Sequence, residues 1–205
     1  MQYRSLYTLR KPVRSSFAVV AALAVTHLVC CAYLDHNFRT VEAQTLYRSG
    51  QLPASRLEKA IEDDGIRTVI SLRHPDPDSR WYREEREACE RHDVAHFDLP
   101  WSKEKLPEPE SLAQFVKWCL SAEKPILVHC QGGTHRSGVA SAVYLLLQGK
   151  TVDEARKQFG PFFDNAPIGT LLDLYDGSKP FAEWVNADYP RVYAKLVPKE
   201  AAANE

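Results

Sequence analysis

Between Pro125 and Gln148 the chain reads PILVHCQGGTHRSGVASAVYLLLQ, and this stretch limits what the rest can be. Pro125-Ile126-Leu127-Val128-His129 has the short apolar, β-branched character of a buried strand. Ser137–Gln148 is apolar nearly all round, as a buried helix is. The loop between them contains Gly132 and Gly133, which permit tight curvature and leave no side chain in the way. A strand–loop–helix of this kind directs several backbone N–H groups at one point. The helix N-terminus adds positive potential, so the loop suits an anion.

The residues at the ends of the loop extend that reading. Cys130 opens it and Arg136 closes it, with Gln131, Gly132, Gly133, Thr134 and His135 between. A loop of this length can place the Cys130 sulfur below a bound phosphorus atom while Arg136 forks onto two phosphate oxygens. A free thiol of pKa ~8.5 is mostly protonated near neutrality, whereas cations and helix N-termini bring thiols down to about 3.5–7.5. The arrangement that binds the anion therefore also arms a nucleophile. Ser137 can donate a hydrogen bond to the sulfur and help it leave in a second step. The bland reading, a buried core cysteine beside a surface arginine, requires the His-Cys, Gly-Gly and Arg-Ser pieces to coincide by chance between a strand and a helix.

HCQGGTHRSG resembles the His-Cys-x5-Arg-Ser/Thr signature of the protein tyrosine phosphatase superfamily, in its small dual-specificity-like branch. Leu46–Gln51 (LYRSGQ), Thr68–Arg73 (TVISLR), Trp81–Glu85 (WYREE) and Pro125–His129 (PILVH) are similar to stretches of bacterial members, so the resemblance covers roughly residues 38–190. It implies a phosphocysteine mechanism: Cys130 attacks phosphorus, Arg136 and the loop amides stabilise the transition state, and water releases phosphate. It implies that His129 orients the loop, and it implies no metal or organic cofactor.

The family takes the leaving group's proton from an acid on a separate loop, and two residues are candidates. Asp98 lies 32 residues before Cys130, near the carboxyl end of an expected strand on which His96 and Pro100 share its face. Glu104 lies in the following loop, Ser102–Lys105. Arg48 and Arg73 end expected strands and are candidates for the cleft wall or for structural ion pairs. The Arg80–Glu90 helix reads as a solvated face, with Trp81 and Tyr82 as packing residues.

Only His135 among the five intervening loop residues can carry a charge. Relatives that act on highly phosphorylated inositols often place lysine or arginine there, so the loop disfavours a polyanion and leaves phosphotyrosine, phosphoserine or a lipid phosphate open. Two other classes remain. A sulfurtransferase of rhodanese type also uses a cysteine loop, but Arg136-Ser137 at this spacing argues against it. A phosphate-binding pseudoenzyme or adaptor is disfavoured by an intact Cys130 and Arg136.

Elsewhere, alternating strand and helix patterns over about Asn37–Val197 indicate an α/β domain with a mostly parallel central sheet flanked by helices. Val41–Arg48 reads as the first strand. The expected domain is 38–197, with a frayed tail at 198–205. Before it, Phe17–Leu34 (FAVVAALAVTHLVCCAYL) carries no formal charge, and eighteen helical residues span roughly 27 Å against a hydrocarbon core of about 30 Å. Residues 1–16 carry Arg4, Arg10, Lys11 and Arg14 and no acid. The segment thus reads as a retained single-span anchor, with a cleaved signal peptide as the alternative. Positive-inside logic places residues 1–16 in the cytoplasm and the domain on the far, extracytoplasmic side. That side is oxidising, which sits awkwardly with a working thiol. The net charge of −1 gives no sign of nucleic acid binding, and five scattered cysteines do not make a disulfide or metal framework. The oligomeric state is left open.

Overall fold

The computed structural model describes residues 35–160 and 163–197, together with Val19 and Leu23. The chain divides into a unit of residues Met1–Asp35 and a unit of residues His36–Glu205, and the second is described below. The expected anchor over 17–34 and the tail at 198–205 lie outside the described residues, apart from Val19 and Leu23, which are helical and exposed. No helix among the described residues is long and apolar enough to cross a membrane.

Among the described residues five short strands form one sheet: β1 (Arg39–Glu42), β2 (Leu46–Ser49), β3 (Thr68–Ser71), β4 (Ala95–Asp98) and β5 (Ile126–His129), in the order β1-β2-β5-β3-β4. The single expected strand over Val41–Arg48 is in fact two. Residues 43–45 turn the chain back, and β1 pairs antiparallel with β2 through an irregular register. The other pairings are parallel, Val128 standing between Arg48 and Ile70. Helices α1 (Ala54–Asp64), α2 (Arg80–Arg91), α3 (Pro109–Ser121) and α4 (His135–Leu147) make the crossovers and continue from the central strand; shorter helices α5 (Val152–Arg156), α6 (Leu171–Leu174), α7 (Phe181–Ala187) and α8 (Tyr189–Leu196) follow. Gly65, in the left-handed region at φ 70°, stops α1, and Pro109 opens α3.

Side-chain alternation sorts the sheet into two faces. Leu46, Ile70 and Val128 pack with Phe115, Val139, Val143 and Trp184 in the larger core, under α3, α4 and the C-terminal helices. Tyr47, Val69 and Leu127 pack with Leu57, Ile61, Ala88 and Cys89 under α1 and α2. The same alternation sends His129 and His96 to the α2 side. The Cys130 loop leaves the carboxyl end of β5, the middle strand, where parallel sheets collect their sites.

Candidate active site

The loop after β5 is held from outside by donors to its carbonyls. The Gln51 backbone N–H donates to the Gln131 carbonyl at 3.0 Å. Asn37 Nδ2 donates to the carbonyls of Gly132 and Gly133 at 3.3 and 2.7 Å. Arg48 Nη2 donates to Gly133 at 2.9 Å and Thr134 at 3.4 Å, and its Nη1 to the Gln158 carbonyl at 2.6 Å. A trans peptide points its N–H opposite its C=O. Drawing the carbonyls of residues 131–134 outward therefore turns the amides of 132–135 inward, toward the space above Cys130. Gly133 makes the curl possible: its φ is 68°, and a Cβ there would lie 2.5 Å from the Gly50 nitrogen. Arg48 is thus a buried brace behind the loop rather than a cleft residue, 1% exposed; burial pulls its guanidinium down to about 10.

Cys130 is buried, with Sγ 3.6 Å from Ser137 Oγ at the first turn of α4. Among the described residues Cys89, Cys119 and Cys130 are free and buried, and their environments separate them. Burial pushes the Cys89 thiol up to about 12 and Cys119 higher still. Burial also opposes ionisation of Cys130. There, however, the Ser137 hydroxyl and amide, the Arg136 charge and the Gly133 amide outweigh it, and the thiol falls below its ordinary value. Arg136 Nη1 donates to the carbonyls of Leu72 at 3.0 Å and Trp101 at 3.3 Å, which fixes its guanidinium at the ends of β3 and β4.

Above the thiol lies a cavity of about 390 Å³ lined by Lys103, Cys130, Gln131, Gly132, Thr134, His135 and Arg136. His135 Nε2 lies 2.7 Å from Asp164 Oδ1, close enough for an ion pair but not aligned as a hydrogen bond. A larger groove of about 610 Å³ runs between α3 and α7, around Val116, Leu120 and Ala182. Its lining has no cysteine and a single cation, Lys117, so the smaller cavity is the candidate chemical site.

Residues 35–172, more than half of the chain, match the model of the Swiss Army Knife protein DSP-PTPase phosphatase domain. The chain belongs to this dual-specificity-type phosphatase family. No curated protein matches it significantly in sequence. Solved structures are similar in fold. The core catalytic domain of the PP-IP phosphatase SIW14 from S. cerevisiae, in complex with citrate, is 20% identical, with TM-score 0.59 over 78% of this chain and 92% of that one. P. aeruginosa TpbA in complex with pTyr is 20% identical, with TM-score 0.53 over 74% and 88%. PTPMT1 is 18% identical, with TM-score 0.54 over 73% and 96%. Family membership makes the domain a phosphatase domain.

Within this phosphatase domain the structure brings Cys130, Arg136, Ser137 and the intervening loop residues together. It places the two acid candidates elsewhere. Asp98 ends β4 with Oδ2 accepting from Tyr82 Oη at 2.6 Å and Oδ1 buried without a partner. Glu104 pairs with Lys103 at 3.4 Å on the exposed loop. Neither lines the cavity; Lys103, from the loop expected to carry the acid, does. That lysine also adds a cation that the loop sequence by itself lacks.

The reading of α2 as a solvated face needs correction. Glu85 is 3% exposed and faces the sheet with Ala88 and Cys89. Its Oε1 lies 3.1 Å from His129 Nε2 and 2.9 Å from His96 Nε2, and Gln51 Nε2 donates to Oε2. Burial opposes its charge, but His129 and His96 outweigh burial and hold the carboxyl well below its ordinary range. Arg73 Nη1 donates to Gln51 Oε1 at 2.9 Å, and its guanidinium stacks 3.5 Å over the Trp81 ring. The signal for Glu85 was present as an i, i+3, i+7 stripe of Tyr82, Glu85 and Cys89. A carboxylate within such a stripe needs partners, which only the sheet supplies.

Proposed function

We propose that the protein hydrolyses phosphomonoesters through a cysteinyl-phosphate intermediate, with Cys130 as nucleophile. The observation that carries this is the lowered Cys130 thiol at the base of a cavity walled by inward amides and Arg136. The phosphate sits in the curl of the loop. Arg136 Nη1 is anchored on protein carbonyls, so the Nε–Nη2 edge serves two phosphate oxygens. The Cys130 thiolate attacks phosphorus, the P–O bond to the leaving group breaks, and the leaving oxygen takes a proton. Water then attacks the phosphocysteine, and the sulfur departs as a thiolate stabilised by Ser137.

For the proton donor we retain Asp98, supported by its place at the carboxyl end of β4 and its unpartnered buried Oδ1. In this role its carboxyl leaves Tyr82 and moves with the following loop toward the cavity. His129 orients the loop from behind.

The substrate is a phosphorylated protein or a lipid headgroup phosphate. The complex of TpbA with pTyr supports the first. The apolar segment 17–34 after a basic head supports a single-pass membrane tether, with the domain on the extracytoplasmic side, and so supports the second. The test is metal-free turnover of p-nitrophenyl phosphate by wild type and Cys130→Ser, followed by phosphotyrosine peptides and phosphatidylglycerol phosphate vesicles. Turnover should vanish in Cys130→Ser; unchanged turnover would overturn the mechanism.

A further inference from the structure

We propose that Glu85 is a positioning residue for the Cys130 thiolate: from α2 it locks His129 behind the nucleophile as a two-donor cation and binds Gln51, whose backbone grips the loop. The proposal rests on the reading of Cys130 as the reactive thiol. It goes beyond that reading by assigning a role to a carboxylate outside the loop.

The argument begins with hydrogen-bond inventory. His129 Nε2 lies 3.1 Å from a Glu85 carboxylate oxygen, and His129 Nδ1 lies 3.4 Å from the Cys130 carbonyl oxygen. Both partners only accept, so both ring nitrogens must carry hydrogen, and that form is the imidazolium. A buried imidazolium requires a counter-charge, and the 3%-exposed Glu85 supplies it. Burial works against the His129 charge, yet Glu85 and the neighbouring Cys130 together raise the imidazole above its ordinary value. The cation is the chain neighbour of the thiol, so it favours the thiolate.

The second arm runs through Gln51. Its side chain donates to Glu85 and accepts from Arg73, while its backbone N–H holds the Gln131 carbonyl. One carboxylate thereby ties together the residue before Cys130 and the segment that clamps the residue after it. His96, on β4, satisfies Glu85 from the far side and itself faces Arg86 Nη1 at 3.3 Å and the Tyr82 ring. The charged and titratable groups facing this cluster are therefore Arg73, Tyr82, Arg86, Cys89, His96 and Cys130.

Glu85→Gln keeps the shape and removes the counter-charge. His129 then loses its second proton, and the thiol loses its adjacent cation. The experiment is the pH dependence of iodoacetamide alkylation at Cys130, read by mass spectrometry on the Cys130 peptide. That readout needs no turnover, so it is separate from the phosphatase assay. The alkylation midpoint should move to higher pH in Glu85→Gln, and kcat should fall more than KM rises. A folded variant with the wild-type midpoint would overturn the proposal. Should the variant not fold, nitrogen NMR of His129 in the wild-type protein decides. Both ring nitrogens protonated through neutral pH support the proposal, and a neutral tautomer there refutes it.

Discussion

Ser137 Oγ lies 3.6 Å from Cys130 Sγ, with both groups buried where α4 begins. In the proposed mechanism the hydroxyl is thus placed against the thiolate that attacks in the first step and is released in the second. A hydrogen bond to a charged group is worth about 1.5–3 kcal/mol, so Ser137→Ala should lower kcat by roughly ten- to hundredfold. With a good leaving group the loss should fall on breakdown of the phosphoenzyme. Rapid-quench kinetics with p-nitrophenyl phosphate should then show a burst of nitrophenol that the wild type lacks.

Arg48 braces the loop without touching the cavity. Arg48→Met fills similar space but leaves the Gln158 carbonyl without its donor and the Gly133 carbonyl with Asn37 alone. An unsatisfied buried acceptor costs about 1–3 kcal/mol, so thermal unfolding should begin several degrees lower. The loop amides should also lose their alignment, and inhibition by inorganic phosphate should weaken.

Asp98 and Tyr82 make a paired test of the acid. As proton donor, Asp98 should matter most when the leaving group is a poor one. Asp98→Asn should then slow alkyl or phenyl phosphates by about 10²–10⁴ while leaving p-nitrophenyl phosphate much less affected. Tyr82→Phe frees the carboxyl and should preserve activity toward phenyl phosphate. Should Glu104→Gln rather than Asp98→Asn carry the leaving-group dependence, the acid is Glu104.

The Glu85–His129 pair predicts a pH window for stability. The Glu85 carboxyl is held below its ordinary 4.5, so its contribution is present above that value and is lost as pH falls through its lower folded value. His129 is held above its ordinary 6.5, so its contribution is complete below that value and is lost as pH rises through its higher folded value. The pair therefore contributes fully between 4.5 and 6.5. Urea midpoints of wild type and Glu85→Gln should differ most near about pH 5.5 and converge on either side.

Much of the site is local, and local features were legible. Cys130, Arg136 and Ser137 sit on one loop whose spacing and flanking strand and helix are contiguous in sequence. Apolar spacing, Pro53 with Gly65 and Pro109 mark helices over Pro53–Asp64 and Pro109–Ala122, each within a residue of the observed Ala54–Asp64 and Pro109–Ser121. The β1–β2 hairpin was not legible, because residues 43–45 contain neither glycine nor proline to mark the turn. Gln44 takes a positive φ of 56° there instead.

The sequence by itself singled out the candidate nucleophile, the candidate phosphate clamp and the alternation of strands and helices after the first hairpin, since each depends on residues close to one another along the chain. Only the tertiary structure decided what stands behind the loop. Asn37, Arg48, Gln51 and Glu85 lie between 45 and 93 residues from Cys130 along the chain, and the parallel sheet brings them to one end. Charged and polar residues at such distances look like surface until burial forces them to find partners. The carbonyls and imidazole of the loop are the partners they find.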